Sequence, residues 1–352
     1  MLYLCKLEAL KMIEFDQYPY QYDNLLIEIL EYFSAHHDLG RTVENNDRRT
    51  IVKFCEYYHS KYNTAEMPPT SSIAAICEIL VKKRYLSVVV KDTPHNFDDT
   101  YIYLPADGEG KLFRNETLKN IVNERLNCLV FGFKYINQSF KNIVRPICHY
   151  MDQDPSIGSS FMFQKGIATA KHCVEKARKL SIRGIPKEVL RNSEFLIHEV
   201  DNMDLMYIKL PEEYMTGFTF IEHEEGEILD EVLALGFPKV PGFHTFMTAE
   251  KAIISSRYTS SVGSIASKAE DLWLRQNLIL ITAKIKGGNS GGPIINNKGS
   301  VVGIASNIPE IKENYDDLGY GIAIPIKFMI EIIEGKSKAF DTSNIEFIDF
   351  IE

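Results

Sequence analysis

The segment Gly287-Gly288-Asn289-Ser290-Gly291-Gly292-Pro293 holds a serine between glycines, an arrangement suited to a nucleophile. Apolar and β-branched residues precede it at 278–282 and follow it at 294–295 and 301–304, so the serine falls in a tight connection between two strands. Glycine permits positive φ and lets other atoms approach closely. A nucleophile whose own N–H must also help to bind an oxyanion makes both demands. Asn and Gly dominate ordinary hairpin turns as well. Six consecutive residues of this kind, then Pro and a β run, favour the chemical reading. Gly288-Asn289-Ser290-Gly291-Gly292 also fits the G-x-S-x-G elbow of α/β-hydrolases, in which the acid and the histidine follow the serine. The last histidine here is His244, so that order is excluded and the base must lie upstream.

With the order His, Asp, Ser, the base is sought among His172, His198, His223 and His244. His172 lies where an apolar run gives way to a short helical turn. His198 and His223 sit in charged surroundings and His244 in a Gly/Pro loop, so each of these reads more simply as a surface or loop histidine. For the acid, Asp204 opens the alternating run Leu205-Met206-Tyr207-Ile208-Lys209-Leu210, which would place its carboxylate at the mouth of a buried strand. Asp201 is the runner-up.

Thr169-Ala170-Lys171-His172-Cys173 resembles the T-A-x-H-C signature of chymotrypsin-like (trypsin-like) serine peptidases. Gly158-Ser159-Ser160-Phe161 resembles the Gly-Ser-x-Phe strand start of their HtrA/Do-type branch. The run from Asp204 is similar to that family's D-[LIV]-A-x-[LIV]-K-[LIV] strand, with Met206 for the small residue. Gly236-Phe237-Pro238 is similar to its G-x-P connection, and Gly321-Ile322-Ala323-Ile324-Pro325 to its (F/Y)-A-I-P ending. Residues 282–293 resemble D-A-x-I-x-x-G-N-S-G-G-P, with Thr282 for the leading Asp. The resemblance covers roughly residues 140–335. It does not reach the N-terminal region, and no PDZ domain is expected after it, so a chaperone-protease role is not carried over.

The resemblance implies a serine endopeptidase with a double β-barrel. Ser290 would be the nucleophile, His172 the base and Asp204 the group that orients the imidazole. The N–H groups of Gly288 and Ser290 would form the oxyanion hole. Ser306 would bond the Asp204 carboxylate beside the substrate backbone, and Ile285 and Ile322 would line the primary specificity pocket. No cofactor or metal is implied, and the partner is a protein or peptide substrate. Asn289 stands where secreted relatives carry the Asp that anchors a newly cut N-terminus, so activation by cleavage lacks its anchor. A switch of the glycine-rich segment 286–289 is expected in its place, biased by an activating partner on the N-terminal domain. The rival reading is an adaptor or sensor in which the protease fold is latent and the N-terminal domain binds a protein or nucleic acid.

The chain has 352 residues, room for a barrel-type domain and one smaller domain. A net charge of −9 gives no basic footprint and disfavours nucleic acid as a partner. Six scattered cysteines without paired spacing fit free thiols in a reducing cytoplasm. The N-terminus is broken by Lys6, Glu8 and Lys11, and no apolar run is long enough to span a membrane.

We therefore expect an α+β multi-domain protein: a mainly helical, winged-helix-like domain over 1–126, a trypsin-like peptidase domain over 127–340 and a tail over 341–352. In the first domain, helical spacing at Leu25, Leu26, Ile29, Leu30 and Phe33 gives one helix. Asn46-Asp47 is read as the cap of a second, and Pro68-Pro69 precedes a third ending in Lys82-Lys83-Arg84. Strands are expected at 86–91 and 100–104, joined by a polar loop, and a helix at 115–127. The segment 107–111 reads as a plain loop. From Cys128 short strands are expected at 129–133, 143–149, 161–163, 195–200, 205–210, 228–235, 252–255, 278–281, 294–295, 301–304 and 321–324. A helix over 326–333 closes the series.

Overall fold

The computed structural model describes residues 22–34, 49–91, 99–103, 111–150, 155–214, 222–238, 257–271, 276–306 and 319–350. The chain divides into two compact units, Met1–Gly132 and Phe133–Glu352.

In the first unit, α1 (Leu25–Tyr32) is apolar on nearly every side and almost wholly buried. Helix α2 (Ile51–Tyr62) is capped by Thr50, whose hydroxyl accepts the Lys53 N–H at 3.4 Å. The expected cap Asn46-Asp47 lies outside the described residues. Helix α3 (Thr70–Lys82) begins directly after Pro69 and buries Ile73, Ile76, Cys77 and Leu80, one face at helical spacing. Strands β1 (Ser87–Val90) and β2 (Thr100–Ile102) pair antiparallel. Two isolated bridges, Thr50–Thr100 and Ser34–Tyr103, tie the hairpin to the ends of α1 and α2. The polar connection 92–98, Leu104 and all but Lys111 of the loop 107–111 lie outside the described residues.

Helix α4 (Glu116–Ser139) runs well past the expected end at 127, its 24 residues crossing a kink at Gly132. Residues 129–133, expected as a strand, belong to it. Leu126 is buried in the core of the first unit, and Val130 and Phe131 pack against it, continuing the helical stripe. Helical geometry breaks only at Gly132, with φ 66 and ψ −154. The run Leu129-Val130-Phe131-Gly132-Phe133 satisfies either period over so short a window, and tertiary packing chose the helix. The core gathers Phe33, Phe54, Tyr58, Leu26, Ile51 and Leu80. Its buried carboxylate Glu28 accepts from Lys61 Nζ at 2.8 Å, Tyr62 OH at 2.8 Å and Tyr57 OH at 3.3 Å. A buried charge needs that degree of pairing.

The second unit is built from β3 (Val144–Tyr150), β4 (Pro155–Phe163), β5 (Gly166–Thr169), β6 (Lys179–Ile182), the short helix α5 (Lys187–Arg191), β7 (Glu194–His198) and β8 (Met206–Lys209). There follow β9 (Glu231–Gly236), β10 (Thr259–Asp271), β11 (Gln276–Ile281), β12 (Pro293–Asn296), β13 (Val301–Ala305) and β14 (Gly321–Pro325). Helix α6 (Ile326–Ile333), β15 (Ser337–Ala339) and β16 (Glu346–Phe347) complete it. Six strands close into a barrel in the order β10-β11-β14-β13-β12-β9. The other eight form a sheet ordered β15-β7-β8-β5-β4-β3-β6-β16. The expectation of two barrels is therefore corrected: among the described residues one barrel is closed and the other layer is an open sheet. Its edges are taken by strands from the C-terminal segment, β15 on β7 and β16 running parallel to β6. The expected strand 252–255 lies outside the described residues.

The barrel core is aliphatic, with Val232, Ile265, Ile279, Ile281, Ile294 and Val302 turned inward. The five described cysteines, Cys55, Cys77, Cys128, Cys148 and Cys173, are free thiols. Cys173 Sγ lies where a Cβ on Gly158 would come to 2.4 Å, so the strand position facing it carries no side chain to bridge to. Among the described residues no helix is long and apolar enough to cross a membrane.

Candidate active site

Two antiparallel neighbours set the first half of the site. Thr169 of β5 lies opposite Met206 of β8, so the residues just after the one strand meet those just before the other. His172 is carried on a single 3-10 turn, Lys171–Cys173, that follows β5. Asp204 precedes β8. Asp204 Oδ1 accepts the backbone N–H of His172 at 2.9 Å, and its Oδ2 lies 2.7 Å from the imidazole Nδ1. Ser306, immediately after β13, donates its hydroxyl to the same Oδ2 at 2.6 Å. Burial by itself would lower the His172 pKa. The Asp204 carboxylate and the neighbouring Cys173 outweigh it, so the imidazole is raised above its ordinary value. Its Nε2 has no hydrogen-bond partner among the described residues.

Ser290 sits between β11 and β12, buried to 4% exposure. The turn before it is closed by the Asn289 N–H donating to the Lys286 carbonyl at 2.9 Å. Gly288, the third residue of that turn, has φ 101, and Gly287 is not at positive φ. These are the marks of a type II turn, since type I would place the third residue near −90°. The N–H groups of Gly288 and Ser290 have no acceptor among the described residues. Ser290 lies against the His172 turn, for the Cys173 thiol reaches the Ser290 carbonyl at 3.7 Å. Gly291 holds φ 86 with its Cα so close to β4 and β5 that a Cβ would stand 2.1 Å from the Ser159 carbonyl and 2.4 Å from Thr169 Oγ1. Gly291→Ala is expected to cost about 2–4 kcal/mol from the left-handed backbone and the overlap together. The midpoint of urea denaturation against the parent chain measures it.

Other expected residues fall as follows. Asp201, the alternative acid, is exposed and ion-pairs with Lys338. His198, read as a surface histidine, is instead buried to 4% exposure. Its Nδ1 accepts the Val200 N–H at 3.1 Å and its Nε2 meets Glu331 of α6 at 3.1 Å, a partner 133 residues away that no local pattern announces. His223 is exposed, and His244 lies outside the described residues. Ile285 is half-buried and lies against Gly321, where a Cβ would approach it to 2.8 Å. Ile322 beside it is buried, while Lys284 and Lys286 are exposed.

One residue goes unassigned by the sequence reading. Ser159 enters there only as part of a strand start, yet its hydroxyl donates to the Gly288 carbonyl at 2.7 Å and its N–H to the Ser290 carbonyl at 2.8 Å. A small polar residue at a strand position that proves wholly buried was the available signal.

Residues 158–304 match the family described as the trypsin-like peptidase domain. The chain is 27% identical over 180 residues to the serine endoprotease DegS of Haemophilus influenzae, covering 51% of this chain and 49% of that protein. It is 32% identical over 136 residues to the magnetosome formation protease MamE of Paramagnetospirillum magneticum, covering 38% and 17%. The chain thus spans about half the length of the first relative and less than a fifth of the second. Among solved structures, the serine endoprotease from Yersinia pestis aligns with a TM-score of 0.41 and 24% identity over 57% of this chain and 65% of that one. Residues 158–304 are thus similar to the trypsin-like peptidase domain, and the chain is similar to serine endoproteases such as DegS.

Proposed function

We propose that the protein is a serine endopeptidase that cleaves protein or peptide substrates through an acyl-enzyme on Ser290. The observation that carries this is the Asp204 carboxylate, which is bonded at once to the His172 backbone, the His172 imidazole and Ser306, beside a serine set on a glycine turn. In this reading His172 Nε2 takes the Ser290 Oγ proton as the serine attacks the carbonyl carbon. Asp204 holds the tautomer and stabilises the imidazolium. The resulting oxyanion receives the N–H groups of Gly288 and Ser290, which the type II turn leaves free. Catalytic hydrogen bonds in the absence of substrate are commonly long, so the unpartnered Nε2 is compatible with this role. The adaptor reading, with a latent site, is not favoured, because the peptidase-domain match spans His172, Asp204 and Ser290.

The neighbouring Ile285, Gly321 and Ile322 support an apolar primary pocket in which these residues offer nothing to pair a cationic head, and an unpaired buried charge is costly. Small or medium aliphatic P1 residues are expected. A peptide library digested with the protein and sequenced at the cleavage sites tests activity and pocket together. Cleavage dominated by P1 Arg or Lys overturns the pocket, and no cleavage at all counts against the enzyme.

The first unit we read as a winged-helix regulator. Support comes from three helices followed by a hairpin whose second strand is bridged to the chain between α1 and α2 at Ser34–Tyr103 and Thr50–Thr100. Its partner is a protein more readily than nucleic acid, given the acidic balance of the chain. Regulation would act on the Gly287–Gly288 peptide, whose flip converts the type II turn to type I and withdraws the Gly288 N–H. Gly287 has open space around it for that rotation. The test compares hydrolysis of a small ester by the full chain and by a chain beginning at residue 133. Equal rates with and without the first unit, under every condition tried, contradict regulation.

A further inference from the structure

Ser159 lies wholly buried on β4, and four hydrogen bonds converge on it. Its hydroxyl donates to the Gly288 carbonyl at 2.7 Å and accepts the Phe237 N–H, just past β9, at 2.9 Å. Its N–H donates to the Ser290 carbonyl at 2.8 Å, and its own carbonyl accepts from Thr169 Oγ1 at 2.8 Å. One residue of the open sheet thus holds the carbonyls on both sides of Asn289, and is itself held from the barrel and from β5. Glycine at 236 is what permits this approach, since a Cβ there would come within 2.8 Å of Ser159 Oγ and 2.7 Å of Asn289 Oδ1.

The peptide between Gly288 and Asn289 is pinned at both ends. Its carbonyl is held by Ser159 Oγ and its N–H by the Lys286 carbonyl at 2.9 Å. In both type I and type II turns the third residue has ψ near 0°, so this peptide keeps one orientation while the preceding one flips. From this geometry we infer that Ser159 is a positioning residue for the oxyanion hole: its hydroxyl is the fixed frame against which the Gly288 and Ser290 N–H groups are aimed. The inference rests on the peptidase reading given above. Without the hydroxyl, the Gly288 carbonyl and the Phe237 N–H both lose a partner at a buried position, and the turn is free to drift. A misplacement of about 1 Å in such a site costs on the order of a hundredfold in rate.

The experiment uses the full chain with Ser159→Ala, and Ser160→Ala as its neighbour control. Ser160 is as buried, on the same strand, but among the described residues its hydroxyl bonds only the Arg145 carbonyl, at 3.0 Å. Active sites are first counted by fluorophosphonate labelling carried to completion. Then kcat and KM on an N-acyl-valine p-nitrophenyl ester, and inhibition by N-acyl-valinal, whose adduct places an oxyanion in the hole, are measured per labelled site. Ser159→Ala should lower kcat by about ten- to a hundredfold with KM within about twofold, and weaken valinal by the same factor as kcat. Ser160→Ala should match the parent. Equal loss in both variants, or a Ser159→Ala enzyme unchanged in kcat and valinal affinity, overturns the assignment. If the parent chain takes up no fluorophosphonate, it is the peptidase reading that fails, and the assignment falls with it.

Discussion

Replacing Ser290 by Ala will abolish hydrolysis, lowering kcat by about a millionfold while the fold is kept. The size follows from the step removed. Without Oγ no acyl-enzyme forms, and the imidazole–carboxylate pair has nothing to activate. What remains is the polarisation supplied by the N–H groups of Gly288 and Ser290, worth on the order of a thousandfold over water in such sites. Ser290 is buried in a turn whose backbone bonds run through Gly288, Asn289 and Gly291, none of which uses the hydroxyl. The variant should therefore melt close to the parent. Residual activity above about one part in a thousand, in protein free of the parent chain, would mean that another group is the nucleophile.

Asp204→Asn should lower kcat by about ten-thousandfold. The carboxylate accepts from the imidazole Nδ1 and from the Ser306 hydroxyl through the same oxygen. An amide that turns its NH2 to that side would force the wrong imidazole tautomer. The variant also changes the pH profile. A general base works only when neutral, and Asp204 helps to raise the His172 pKa, so in the parent kcat/KM should climb through an apparent pKa above the ordinary 6.5. Removing the carboxylate leaves burial, which lowers the pKa, opposed only by Cys173, so the residual activity should climb at lower pH. By the same sign, the stabilisation that this ion pair gives the folded chain is complete below about 6.5 and fades as pH rises through the raised folded value. A limb that stays in place in Asp204→Asn would show that Asp204 does not set the charge state of the base.

What the sequence made legible is what local pattern can carry. Helix α6 is read to the residue because Ile326, Met329 and Ile332 repeat at the spacing of one buried face. Strands rich in Ile, Val and Leu, such as β11 and β13, were equally plain. The longest strand, β10, was not: its thirteen residues are mostly Ser, Thr, Gly, Ala and charged, and its place comes from pairing with β9 and β11. The short strands β15 and β16 exist only as edges of a sheet assembled far upstream. At the site, His172, Asp204 and Ser290 could be picked out because each sits in a dense motif. Ser159 and the buried His198–Glu331 pair could not, because both are defined by partners more than a hundred residues away.

The reactivity of one atom, Ser290 Oγ, is the most direct test of a serine peptidase site. The full chain treated with a fluorophosphonate and digested for mass spectrometry should carry a single adduct on Ser290. The adduct should be absent in Ser290→Ala and at least a thousandfold slower to form in His172→Ala. A parent chain that stays unlabelled, or carries its adduct on another residue, or labels as fast without His172, would contradict a serine peptidase site at Ser290.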